Sequence, residues 1–228
     1  MTQRFKVLIF DWDGTLMDSE AHIVQSMVSA MEQLGTEVLD ARTIGNVIGL
    51  GMREAVHTLF PQRRDEAFVK AFVDAYRSHF FAADAPQALF PGAASTLRGL
   101  RADGYRLAVA TGKSRRGLDF ALEQTGLGDL FSATRAADET ASKPDPRMLR
   151  EILAELGADP DEAIMIGDTA FDMEMARNAG THAVAVSYGV HDTARLMAYR
   201  PLTCLDELAA LSQWLVAAAV PKRVASAS

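Results

Sequence analysis

A single cysteine, Cys204, in 228 residues rules out an internal disulfide and any cysteine-rich zinc site. Positive charge is scarce too. Against 30 Asp and Glu stand 23 Lys and Arg, a formal net charge of −7, which argues against a broad basic surface for nucleic acid or anionic lipid. Long apolar runs are missing. The first, Val7-Leu8-Ile9-Phe10, and the longest late one, Leu215 to Val220, are too short for a signal-peptide core or a membrane span. Internal repeats and low-complexity linkers are absent. These absences leave a soluble, cytoplasmic protein, expected to bind neither nucleic acid nor membrane, and any phosphorylated ligand would have to meet a local positive site. The sequence carries no signal for oligomeric state.

What is present is an ordinary core-forming composition, 49% hydrophobic and 23% charged. The most informative stretch is Phe10-Asp11-Trp12-Asp13-Gly14-Thr15. A β-branched apolar run followed by a polar, glycine-containing turn reads as a buried strand ending in a loop. Side chains alternate along a strand, so Asp11 and Asp13 leave its end on one side and Trp12 on the other. Carboxylates that close repel each other, and a cation or a shared proton relieves them. Mg²⁺ takes hard oxygen ligands and a protonated carboxyl can act as a general acid. An Asp pair that merely caps the next turn fits the hexapeptide equally well.

From Asp18-Ser19-Glu20 a helical pattern runs through Ile23, Met27, Ala30, Met31 and Leu34 to Gly35. Further helical patterns span Arg53 to Phe60 and Asp65 to Phe81, with no strand-like alternation between Met17 and Ala88. Residues 17–88 therefore read as an all-helical insertion, with Pro86 and Pro91-Gly92 marking the return. Beyond it, helices alternate with apolar strands. Helices are expected over Ala93–Ala102, Arg116–Thr125, from Asp145-Pro146 to Gly157, and over Phe171–Ala179. Strands are expected at Arg106–Ala110, Phe131–Ala136, Ala163–Ile166 and Ala183–Val186. The tail from Pro221 to Ser228 reads as frayed. Alternation of this kind specifies an α/β fold with a parallel sheet covered on both faces. Ligands of such sheets bind outside the carboxyl ends of the strands. Asp11/Asp13, Thr111/Lys113 and Asp168/Asp172 all follow strands, and Lys143 precedes a proline-started helix, so one shared site is expected.

These residues resemble the haloacid dehalogenase superfamily, mainly Mg²⁺-dependent phosphatases. The resemblance covers essentially the whole chain through four motifs in order: Asp11-Trp12-Asp13-Gly14-Thr15 after a strand, Thr111-Gly112 ending another, Lys143-Pro144, and Gly167-Asp168-Thr169-Ala170-Phe171-Asp172. It implies a Rossmann-like core of residues 1–16 and 89–228 and a small helical cap of residues 17–88, similar to that of phosphoglycolate phosphatases and β-phosphoglucomutases. By the same resemblance Asp11 is the nucleophile that forms an aspartyl-phosphate, and Asp13 is the general acid and base. Mg²⁺ would take the side chains of Asp11 and Asp168 and the backbone carbonyl of Asp13, with Asp172 holding a bound water or orienting Lys143. Thr111 and the following amides would bind phosphate oxygens, Lys143 would neutralise nucleophile and phosphate, and Gly14, Gly112, Lys113 and Arg53 would contact a small phosphorylated metabolite.

Departures sharpen that reading. An acid at Asp13 disfavours a true dehalogenase, which lacks it, and a phosphonate hydrolase, which has alanine there. Thr111-Gly112-Lys113 keeps the lysine but not the asparagine of many phosphoglycolate phosphatases. Trp12 replaces a more usual Phe or Leu and is expected to pack beneath the site, the alternative being that it lines the cap interface. In the cap, Gly49, Gly51 and Arg53 lie where related caps carry a specificity loop, and Arg53 is either a reader of a second anion or a solvated helix start. His57, His79, Met27 and Met31 read as structural residues, and Arg115-Arg116 as a solvated pair. The function the resemblance implies first is a phosphomonoesterase acting on a small metabolite, most like phosphoglycolate phosphatase. Two others share these motifs: a phosphosugar mutase similar to β-phosphoglucomutase, and a catalytically idle binding protein.

Overall fold

The computed structural model describes residues 4–82 and 88–219. The expected frayed tail, Pro86 and the first three residues lie outside them. Six parallel strands form the central sheet: β1 (Val7–Phe10), β4 (Arg106–Thr111), β5 (Phe131–Ala136), β6 (Ala163–Gly167), β7 (His182–Val186) and β8 (Cys204–Leu205). Their spatial order is β5-β4-β1-β6-β7-β8. Chain order thus reverses between β1 and β6, which is where a doubly wound sheet opens a crevice for ligands. Register sets Leu8 beside Leu107 and Ile164, and Phe10 beside Val109 and Ile166.

Alternation sorts the side chains of β1 between two cores. Leu8 and Phe10 join Leu97, Leu100, Val109 and Ile166 under helices α5 (Ala93–Ala102), α6 (Arg115–Thr125) and α10 (Ala210–Ala219). Val7 and Ile9 face Ala108, Met165 and the helices α7 (Arg147–Leu156) and α8 (Ala170–Ala179). A strand buried on both faces has to be apolar throughout, as β1 is. Trp12 follows Phe10 into the first core, fully buried, with its indole Nε1 donating to Met17 Sδ at 3.4 Å. It packs under the site as expected, and truncating it to alanine should cost about 3–5 kcal/mol of stability.

The insertion is helical: α1 (Glu20–Gln33), α2 (Ala41–Gly45), α3 (Met52–Leu59) and α4 (Glu66–Ala82) close over a separate core that includes Met27, Met31, Phe68 and Phe72. Both methionines are core residues. Helix α2 has no counterpart in the sequence pattern because five residues complete too little of a helical period. It forms under the Asp40 cap, whose carboxylate accepts from the Thr43 amide at 2.9 Å.

One expectation about the insertion needs correcting. Its two ends are not helical or irregular: β2 (Met17–Asp18) pairs antiparallel with β3 (Ala88–Leu89), Met17 opposite Leu89. Two residues per strand are too few to show alternation. The ribbon joins both chain crossings into a single strap between cap and core. The C-terminal elements β8, α9 (Thr193–Met197) and α10 are likewise additions. Helix α7 begins at Arg147, so the proline expected at its first position is instead its N-cap residue. Asp145, expected as the cap, lies one residue earlier, with Oδ1 accepting from the Arg147 amide at 2.9 Å. Among the described residues, no helix is long and apolar enough to cross a membrane.

Candidate active site

The acidic hexapeptide leaves β1 at the crevice beside β6, where the Asp11 amide still donates to the Ile166 carbonyl at 2.9 Å. Its carboxylate is buried; Oδ1 accepts from the Trp12 amide at 2.6 Å and Oδ2 lies 2.7 Å from the Lys143 ammonium. Lys143 arrives from the loop after β5 through a cis Lys143–Pro144 peptide bond, and its side chain has no solvent exposure. Its ammonium is also 2.7 Å from Asp172 Oδ1. Asp172 sits in the first turn of α8, where its other oxygen completes a capping box with Thr169, accepting from the amide at 3.0 Å and the hydroxyl at 2.6 Å. A residue that caps a helix is thereby fixed as a site residue.

Asp168 closes the group from the end of β6. Oδ1 accepts from the Thr15 hydroxyl at 2.7 Å and Oδ2 from the Val190 amide at 2.9 Å. Gly14 lies under it at φ +78°, and a Cβ there would sit 2.2 Å from Asp168 Oδ2, so the turn and the carboxylate together admit only glycine. One oxygen from each of Asp11, Asp168 and Asp172 falls within 4.8 Å of the others. Three buried carboxylates and one ammonium leave two negative charges in excess. The cost appears in their protonation: burial, with Asp172 and Asp168 nearby, raises the Asp11 carboxyl well above its ordinary value despite Lys143. Burial and then Asp172 push Asp168 up to about 7. Burial works against the Lys143 ammonium, but Asp11 and Asp172 outweigh it and hold its pKa above the usual lysine value. A donor set of hard oxygens carrying two surplus negative charges fits a divalent cation such as Mg²⁺.

Asp13 belongs to a neighbouring subsite. Its carboxylate accepts from Lys113 Nζ at 2.8 and 3.0 Å and from the Ser19 hydroxyl at 2.6 Å. The Lys113 ammonium lies over the Phe80 ring of the cap, 4.9 Å from its centroid. Ser19 and Thr15 have roles that the sequence did not disclose. Ser19 occupies the N-cap position of α1 yet makes no capping bond there, because its hydroxyl is spent on Asp13. Thr111 ends β4, buried, and its hydroxyl accepts from the Lys113 amide at 3.2 Å.

Above these groups the cap and core enclose a cavity of about 840 Å³ lined by Asp11, Asp13, Thr111, Lys113 and Lys143 on the core side. Gly49, Gly51 and Arg53 line it from the cap. The Gly51 amide donates to the Ser142 hydroxyl at 2.7 Å, tying the cap loop to the lysine loop. Gly112 lies so close to that loop that a Cβ would come within 2.5 Å of the Gly49 carbonyl oxygen. Arg53 is half-exposed and donates to both Glu66 oxygens, at 2.5 and 2.8 Å. His57 and His79 do not line the cavity, and Arg115 is held by Asp119 and Glu139. The strand-end rule for a parallel sheet led to the expectation that Asp11, Asp13, Thr111, Lys113, Lys143, Asp168 and Asp172 share one rim, and the fold gathers them there.

A family model described as haloacid dehalogenase-like hydrolase matches residues 8–186. The chain is 36% identical over 204 residues to the probable phosphatase IndB of Dickeya dadantii, covering 88% of this chain and 89% of that one. It is 33% identical over 220 residues to a phosphoglycolate phosphatase of Rhodospirillum rubrum, covering 92% and 90%. Among solved structures, a haloacid dehalogenase-like family hydrolase from Streptococcus pneumoniae superimposes with a TM-score of 0.80 at 26% identity, over 93% of this chain and 100% of that one. Motif order, strand order and these likenesses agree, and the chain belongs to the haloacid dehalogenase-like hydrolases.

Proposed function

We propose that the protein is a Mg²⁺-dependent phosphatase that hydrolyses a small cytoplasmic phosphomonoester through an aspartyl-phosphate. The observation that carries this reading is the convergence of Asp11, Asp168, Asp172 and Lys143 on one buried rim beneath the cavity between cap and core. Relatives named as phosphoglycolate phosphatases and, at 29% identity, a pyrophosphatase of Bacillus velezensis keep the substrate among small phosphorylated compounds.

A carboxylate oxygen of Asp11 attacks phosphorus, the bond to the leaving oxygen breaks, and Asp13 gives that oxygen a proton. Water then attacks the aspartyl-phosphate, losing its proton to Asp13, and the Asp11–phosphorus linkage breaks to release phosphate. Lys143 offsets the repulsion between a carboxylate nucleophile and a phosphate dianion. Asp11, Asp168 and the Asp13 carbonyl would hold the cation, with Asp172 supporting it through a water or through Lys143. Bound there, Mg²⁺ supplies further neutralisation between nucleophile and phosphate. A phosphate entering beside Lys113 competes with Asp13 for its ammonium. Thr111 and the amides after it receive the non-bridging oxygens.

Phosphate release from p-nitrophenyl phosphate should vanish in excess EDTA and return with Mg²⁺; full activity in EDTA would refute the metal assignment. One phosphate released per ester consumed separates this reading from a mutase, which would interconvert hexose phosphates. The same cation should stabilise the fold in a pH-dependent way. Asp11 and Asp168 have raised folded-state pKa values, so without metal their contribution to stability is full below the ordinary carboxylate value. It is lost as pH rises through the folded value, about 7 for Asp168. Mg²⁺ should therefore raise the melting temperature more at pH 8 than at pH 5, and an equal shift at both would detach the ion from these carboxylates. Gly112→Ala should displace the cap loop and lower kcat/KM by roughly 10²-fold while the melting temperature stays within a few degrees, the sensitivity expected of a misplacement near 1 Å. Unchanged kinetics would mean that this contact does not position the cap for catalysis.

A further inference from the structure

The cavity is polar at its floor and apolar at its roof. The floor consists of the phosphoryl-transfer groups; the roof, from α1, the loop after α2 and α4, includes Ile23, Met27, Ile48, Val73, Tyr76 and Phe80. A ligand with a second anion needs a cation beyond those that serve its phosphate. Every described cation on the lining already faces a carboxylate: Lys143 between Asp11 and Asp172, Lys113 on Asp13, Arg53 on Glu66, Arg77 3.7 Å from Asp138, and Arg147 on Asp145. Glu54, also on the lining, adds negative charge on the cap side. Burial raises the Tyr76 hydroxyl well above its usual pKa, so at the roof it is a neutral phenol. A volume of about 840 Å³ belongs with pockets that enclose drug-sized ligands and far exceeds what a two-carbon acid fills.

Resting on the phosphatase reading above, we infer that the leaving group is an uncharged alcohol whose body is a ring or comparably bulky apolar group, with no second anion. The apolar roof takes the body of this alcohol by burying its surface, while the floor takes the phosphate. A carboxylate in that place would lose its hydration against aliphatic and aromatic side chains, and any cation of the lining could meet it only by giving up a carboxylate it already holds.

The test compares two alkyl esters, benzyl phosphate and 2-phosphoglycolate, so that neither gains from a phenolic leaving group. Phosphate release is measured with Mg²⁺ for the parent, Val73→Lys and Arg53→Ala. The parent should show kcat/KM at least about tenfold higher for benzyl phosphate, the discrimination that burial of a ring supplies. Val73→Lys, which adds a cation to the roof, should reduce or invert the ratio. Arg53→Ala should change both esters by the same factor. Preference for 2-phosphoglycolate in the parent, an unchanged ratio in Val73→Lys, or selective loss of 2-phosphoglycolate in Arg53→Ala would each overturn the inference while phosphatase activity stands. Release of phosphate from neither ester, nor from p-nitrophenyl phosphate, would remove the phosphatase reading and this inference with it. Each ratio is taken within one preparation, so partial unfolding of a variant cancels.

Discussion

Asp11→Asn is expected to abolish phosphatase turnover, by roughly 10⁴- to 10⁶-fold in kcat, the scale of removing a nucleophile from a set of groups that act together. The substitution keeps the size and shape of the side chain. It removes only the charge and the attacking oxygen. The fold should not suffer, because Asp11 contributes one of the surplus buried charges: burial and the neighbouring Asp172 and Asp168 already disfavour its ionised form. Without metal, the variant should melt no lower than the parent, and its Mg²⁺-induced rise in melting temperature should shrink. Phosphate release and a thermal melt on the same sample separate the two effects. Activity within tenfold of the parent would remove Asp11 as nucleophile; a large loss of thermal stability would make it a structural residue.

Lys143→Met should cost activity and stability together. Among the described residues Lys143 is the one cation within 2.7 Å of both Asp11 and Asp172, with no solvent exposure of its side chain. Removing one partner of a buried ion network leaves charges uncompensated and costs about 3–5 kcal/mol. That cost depends on the carboxylates being ionised. It should be largest near pH 8 in EDTA, smaller near pH 5, where Asp11 and Asp168 take up protons, and partly recovered with Mg²⁺. Urea unfolding at the two pH values measures it. Lys143→Arg should not restore activity, since a planar fork replaces a point charge in a fully packed space. A Lys143→Met protein as stable as the parent at pH 8 without metal would show that the ammonium does not balance these carboxylates.

Much of this arrangement could be read from residue order because it rests on short-range signals. Apolar runs broken by glycine and proline locate β1, β4, β6 and β7, and the polar residues at the ends of β1, β4 and β6 supply most of the candidate site. Asp145-Pro146 marks the start of α7 to within one residue for the same reason. What stayed hidden depends on contacts between distant segments. Ser19 reads only as part of the start of a helix, and the fold alone shows its hydroxyl on Asp13. Val190 has no polar side chain to attract notice, yet its amide fixes Asp168. The β2–β3 strap joins residues some seventy positions apart through two pairs. Arg53 could be assigned either to a ligand or to solvent, and its Glu66 partner depends on how α3 meets α4.

The most direct measurement is on the reaction itself. Parent and Asp13→Asn proteins would be mixed with Mg²⁺ and a phosphomonoester, quenched in acid, digested and mapped by mass spectrometry. The expected result is one phosphoryl group on the peptide carrying Asp11, released by hydroxylamine, and held longer in Asp13→Asn because water loses its base. Steady phosphate release with no modified peptide in either protein, or a phosphoryl group on any other residue, would contradict attack by Asp11.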